Sequence, residues 1–272
     1  RATGLRRKLY NVISLGWQGT DRQWHHFGKA YIFLAGLATP LVLSVHSVVS
    51  WDFAMSIVPG WHATIFAPYF VAGAIYSGVA MVITLTVPLR KVFRLEAYLT
   101  VKHFDAMAKL CLLTSMIVFY AYLSEFFLAW YSGEEIERSA FWNRLFGTYW
   151  WATWIMLICN GFVPMMLWFK RVRRSIPALF VISIFVNIGM WFERYVIVVT
   201  SLHHEYEPFA WGIYRPSTIE MMILIGSFGW FSFWFLLFTR LIPPIAIQEL
   251  KEVLPPPMRK KKSDHAAEEA HT

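Results

Sequence analysis

Five titratable side chains sit in or at the ends of long apolar stretches: His46, Asp52, Glu125, Glu193 and Arg194. An ionisable group within a hydrocarbon layer is costly, so it usually faces a bundle interior or a cavity and marks a functional position. Their types define the chemistry on offer. An imidazole, or a carboxylate whose proton affinity is raised by desolvation, can take a proton from a bound donor. An arginine can hold such a carboxylate ionised or orient a ligand carbonyl. Asp105 and Lys109 form a second group at i,i+4 spacing, the register of a helical ion pair.

These residues need elements to position them, and the composition says what kind. The 272-residue chain is 57% hydrophobic and only 15% charged, which no ordinary soluble domain is. A membrane-crossing helix needs roughly 20 mainly apolar residues. Six stretches meet that need, at about residues 28–50, 64–88, 103–130, 147–170, 175–200 and 217–240. The expected fold is therefore all-α, a polytopic transmembrane bundle spanning 28–240, with an interfacial segment at 1–27 and a tail at 241–272. The tail is Pro-rich and then charged, without a packing pattern. The link 89–107 has apolar residues at helical spacing between basic ones, the pattern of a short helix on the membrane surface.

The net charge of +8 is distributed by side. Arg1, Arg6, Arg7, Lys8, Arg22 and Lys29 flank the start of the first stretch; Arg90, Lys91, Arg94 and Lys102 fill the second link. Lys170, Arg171, Arg173 and Arg174 fill the fourth, and Arg240, Lys251, Arg259 and Lys260 to Lys262 follow the last. The remaining links carry only Arg138, Arg144 and Arg215. By the positive-inside rule both termini are cytoplasmic, and the basicity is an orientation signal rather than a nucleic-acid footprint. On this topology His46, Glu125, Glu193, Arg194 and Glu220 gather toward the outer face, joined by the loop residues Asp52, His62, His203, His204 and Glu205. Asp105 and Lys109, with His103, lie toward the inner face.

Face arithmetic at about 100° per residue places Cys111, Ser115, Tyr122 and Glu125 within one sector of roughly 80°, and sets Ser183, Asn187 and Arg194 on a shared face. Such stripes read either as the lining of a proton or ligand path or as hydrogen bonds that glue helices together. His46 and Asp52 come out about 240° apart, so they meet only if the chain turns between them.

Several chemistries are set aside. His46 is the one histidine well inside an apolar stretch, whereas a membrane haem wants histidine pairs on facing helices. There is no CxxC or cysteine cluster for iron and sulfur, no phosphate loop and no nucleophile elbow, and no metal site is expected. Cys111 and Cys159 read as small buried hydrophobes.

The stretches "HSVVSWDFA", "PGWHATIFAPYFVAGAIYSG", "YAYLSEFFLAWYSG", "WWATWIMLICN" and "IPALFVISIFVNIGMWFERYVIVVTSLHHEYEP" resemble NrfD-like, polysulphide-reductase-type membrane subunits, and in particular the ActC type of bacterial alternative complex III. The resemblance implies a multi-pass subunit of the bacterial inner membrane in a quinol-oxidising complex. It would bind menaquinol near the outer face and carry no haem or iron–sulfur centre of its own. Its implied partners are an outward-facing iron–sulfur subunit, multihaem cytochrome subunits, lipid, and other membrane subunits including a related NrfD-like one. His46, Asp52, Glu125, Glu193 and Arg194 match the pattern and become candidates for the quinol rim and proton exit; Asp105 and Lys109 become candidates for the inner end of a proton path. The "GHAGT"-like motif of the first bundle, whose histidine is associated with quinol, is absent from these residues. With the start at Arg1 and six stretches rather than ten, the chain is expected to be a processed product or the later part of a longer polypeptide. Two other readings remain: a structural, at most proton-conducting scaffold, and a secondary transporter.

Overall fold

The computed structural model describes residues 4–61, 63–204, 206–242 and 246. The described residues form helices and no strands. In chain order the helices are α1 (Gly4–Ile13), α2 (Asp21–Ala54), α3 (Phe66–Val92), α4 (Val101–Tyr131), α5 (Glu135–Phe146), α6 (Trp150–Trp168), α7 (Ile176–His203) and α8 (Thr218–Leu241), with a short helical turn at Lys170–Arg173 before α7. All but α1 and α5 are long and apolar enough to cross a membrane, which makes six.

The first span starts earlier than its apolar run. Thr20 accepts from the Gln23 N–H, and the Gln23 side chain accepts from the Thr20 N–H, so a capping box starts α2 at Asp21. Its 34 residues run on through His46 and Asp52 to Ala54. The expected surface helix over 89–107 is not present as a separate element. Residues up to Val92 belong to α3, those from Val101 belong to α4, and a turn with Arg94 at φ 53° joins them.

Four spans make the core. Tyr76 and Ile83 of α3, Phe104 and Val118 of α4, Leu167 of α6 and Leu179 and Val186 of α7 are almost completely buried. The apolar windows of α2 and α8 bury nothing, and α2 joins the core only at its end, where Ser50 is buried and Phe53 packs on Trp61 and Phe70. Helix α8 is apolar on every side, as a span facing lipid or other helices must be.

Two core helices carry a π-helical turn, Ile158–Phe162 in α6 and Val196–Thr200 in α7. Such turns misalign the regular backbone ladder and recur at functional sites. In each an aromatic side chain takes up a carbonyl: Tyr76 Oη donates to Asn160 O at 3.4 Å, and Trp61 Nε1 donates to Ile197 O at 2.7 Å. The first turn fits against α7 because residue 189 is glycine. A methyl there would stand 2.7 Å from Cys159 Cβ and collide with the Asn160 carboxamide. Gly189→Ala is accordingly expected to destabilise the protein by about 1–3 kcal/mol, the usual cost of overpacking, read as a lower melting temperature in detergent.

Candidate functional site

At the end of the bundle where α3 and α6 begin and α4 and α7 end, polar groups converge in an otherwise apolar core. Glu193 is completely buried. Its Oε2 accepts from the Tyr122 hydroxyl and from Asn160 Nδ2 at 3.4 Å, and Asn160 Nδ2 also reaches Tyr122 Oη at 3.0 Å. Glu193 Oε1 has no hydrogen-bond partner; Arg194 Nη2 stands 3.7 Å from it. The Arg194 guanidinium lies over the Phe70 ring at 4.6 Å, an arrangement that holds its charge beside the carboxylate. Tyr69 completes this group, its ring edge-on to Tyr122 at 5.8 Å.

Glu125 belongs to the same region, within electrostatic reach of Glu193, Tyr69 and Arg144. Its Oε1 is buried without a hydrogen-bond partner, and the residue lines a cavity of about 320 Å³ together with Glu134 and Glu137. Arg144 of α5 is 7% exposed although it lies outside the spans. It donates to Ser201 Oγ at 2.6 Å and covers the Phe141 ring at 4.5 Å. Burial pulls its guanidinium below the ordinary value, and the Glu125 and Glu137 carboxylates pull it back up. An arginine in such company stays charged. Gly60 allows this packing: it sits at φ +79°, a methyl there would meet the guanidinium, and its N–H donates to Glu137 Oε1 at 3.0 Å.

The structure thus brings Glu125, Glu193 and Arg194 together. It does not bring His46 and Asp52 together, because α2 runs unbroken through both. His46 is half-buried with Nδ1 donating to Val42 O at 2.8 Å, and Asp52 is exposed. Asp105 pairs with Lys109 at 2.8 Å as its spacing implies, and also with Arg173 at 3.0 Å, which in turn donates to Leu167 O. That pairing ties α4 to the end of α6. Ser183 and Asn187 both bond to Thr84 of α3, at 2.8 and 2.9 Å, so this part of the polar stripe is a knot between α3 and α7. Glu220 caps α8, accepting from the Ser217 N–H at 2.6 Å. His203 donates to Gly212 O, and His204 stacks on Trp211 at 4.1 Å. His62 and Glu205 lie outside the described residues.

Three members of the site were not marked by the sequence pattern: Asn160, Arg144 and Tyr69. Asn160 had a usable signal, as a lone amide in an apolar span is expensive unless bonded. Arg144 had none, because its burial depends on the distant Gly60 and Ser201.

A family model described as polysulphide reductase, NrfD, matches residues 8–204. The chain belongs to the NrfD family. No curated protein matches it. NrfD subunits generally serve in the membrane part of quinol or polysulphide oxidoreductase complexes, where they bind quinone and pair with iron–sulfur subunits. The matched stretch holds the four core spans α3, α4, α6 and α7 and every residue of the cluster, from Gly60 and Tyr69 to Arg194 and Ser201, while α8 lies beyond it. No group of three or more potential metal ligands occurs among the described residues of this NrfD chain.

Proposed function

We propose that this chain is a membrane subunit of a quinol-oxidising electron-transfer complex of the alternative complex III type, in the bacterial inner membrane with both termini cytoplasmic. The observation that carries the reading is the pair of lipid-depth carboxylates, Glu125 and Glu193, each with a buried oxygen lacking a hydrogen-bond partner and each beside an arginine. Oxidation of menaquinol releases two protons and two electrons. The carboxylates serve as proton acceptors, Tyr122 and Asn160 hold Glu193 in place, and Arg194 and Arg144 stabilise the ionised forms. The electrons leave to an iron–sulfur partner on the outer face and onward through multihaem cytochrome subunits. Further membrane subunits, a second NrfD-like one among them, and lipid cover the unburied faces of α2 and α8. In this reading 1–27 is an interfacial segment, 28–240 the bundle and 241–272 a cytoplasmic tail; His46 and Asp52 contribute separately to the rim. Asp105 and Lys109 stand at the inner end of the proton path.

A second reading, a scaffold that at most conducts protons, draws support from the Thr84–Ser183–Asn187 knot and the Asp105–Lys109–Arg173 pairing, where polar groups do the work of holding helices together. Single substitutions in the assembled complex separate the two. Glu125→Gln, which removes a positioned proton acceptor, and Arg194→Gln, which removes the charge that stabilises ionised Glu193, are each expected to lower quinol oxidation about 10²-fold with assembly preserved. Unchanged turnover in both variants favours the scaffold.

A further inference from the structure

We propose that a groove on the outer flank of α4 is a side entrance from the lipid for an isoprenoid quinol, which places its ring hydroxyl against Glu125; the inference rests on the quinol-oxidising reading above. Two hollows adjoin there. One, of about 420 Å³, is bordered by Thr64, Ile65, Tyr120, Ser124, Phe127 and Leu128. The other, of about 320 Å³, shares Thr64 and Leu128 with it and reaches Glu125. Together they run from the side of the bundle to the carboxylate, in the size range of small-molecule pockets.

The first hollow is on the lipid-facing side of a span. Tyr120 is 65% exposed and Phe127 55%, and Tyr120, Ser124 and Leu128 follow one another at i,i+4 spacing along one face of α4. An occupant arrives through hydrocarbon and must carry an apolar tail for Ile65, Phe127 and Leu128. Its polar end is defined by the second hollow. Glu125 lines it and its buried Oε1 lacks a hydrogen-bond partner, so the carboxyl group has capacity left for a head that donates a hydrogen bond. Glu134 and Glu137 line the same cavity, and three carboxylates around one space disfavour a phosphate head. A neutral ring hydroxyl on a prenyl tail satisfies all these conditions; a phospholipid brings an apolar tail, and with an ethanolamine head a donor, but also the disfavoured phosphate. Glu125 lies six residues before the end of α4, about 9 Å below it at 1.5 Å per residue, so the ring stops under the surface rather than in water.

The test uses the intact membrane complex in lipid discs with two probes, a photoreactive isoprenoid quinone and a photoreactive phosphatidylethanolamine, followed by peptide mapping. Quinone labelling within 64–65 and 120–128 is expected, suppressed by excess unlabelled quinone. It should fall at least 10-fold in Ser124→Trp, which fills the groove, and persist in Ser124→Ala. If the tryptophan variant does not accumulate, labelling and competition in the wild-type complex decide. Phospholipid labelling of these segments with quinone labelling elsewhere in the complex overturns the entrance and leaves the quinol reading standing. Undiminished quinone labelling in Ser124→Trp also overturns it. A complex that neither takes the quinone label nor oxidises quinol overturns both.

Discussion

Glu193→Gln is expected to lower quinol oxidation by about 10²–10³-fold in the assembled complex without lowering its thermal stability. The amide has the same shape, and its carbonyl oxygen still accepts from Tyr122 and Asn160, so the hydrogen-bonded frame survives. What disappears is a group that can take a proton, at a place where Glu193 is the carboxylate bonded to Tyr122 among the described residues. Removing a positioned acid–base group costs 10²–10⁴-fold, which sets the magnitude. Stability moves the other way or not at all. A completely buried charge whose arginine neighbour is 43% exposed and 3.7 Å distant is poorly compensated, and neutralising it relieves desolvation. A scaffold role makes the opposite forecast, in which turnover stays at the wild-type level. Quinol-dependent acceptor reduction and a melting curve on the same preparation read both quantities.

The parts of this arrangement that the sequence discloses are those set by local patterns. Six apolar runs of about 20 residues became six spans, because hydrocarbon thickness imposes length directly. Tyr122 and Glu125 fell on one stripe of α4, and both point into the core region, because helical periodicity needs no knowledge of partners. Other features needed partners. Ser183 and Asn187 shared a face with Arg194, yet a threonine on α3 decides that they form a knot. The link 89–107 carried an amphipathic pattern, yet the two flanking spans absorb its ends and leave only a turn. The first span is longer than its apolar run because a polar Thr20–Gln23 capping box, not hydropathy, starts it. Asn160 enters the cluster through a π-helical turn and the missing side chain at Gly189, a fit between two helices that neither reveals alone.

Arg144→Leu follows from the same point about partners, and is expected to destabilise the protein by about 3–5 kcal/mol, the range for leaving buried charge uncompensated. Leucine restores some packing against Phe141 but no donor for Ser201, and it leaves Glu125 and Glu137 without their nearby cation. Arg144→Lys should recover less than half of the loss. An ammonium offers a single compact centre where the guanidinium spans Ser201, the Phe141 face and the carboxylates, and it gives up its proton more readily when buried. Adding Glu137→Gln to Arg144→Leu should return part of the stability, because one of the stranded carboxylates is then neutral. Melting temperatures of the two single variants and the double give the coupling directly. If the losses are simply additive, Arg144 is not the counter-charge of this carboxylate group, and its burial has to be explained by packing under Gly60 alone.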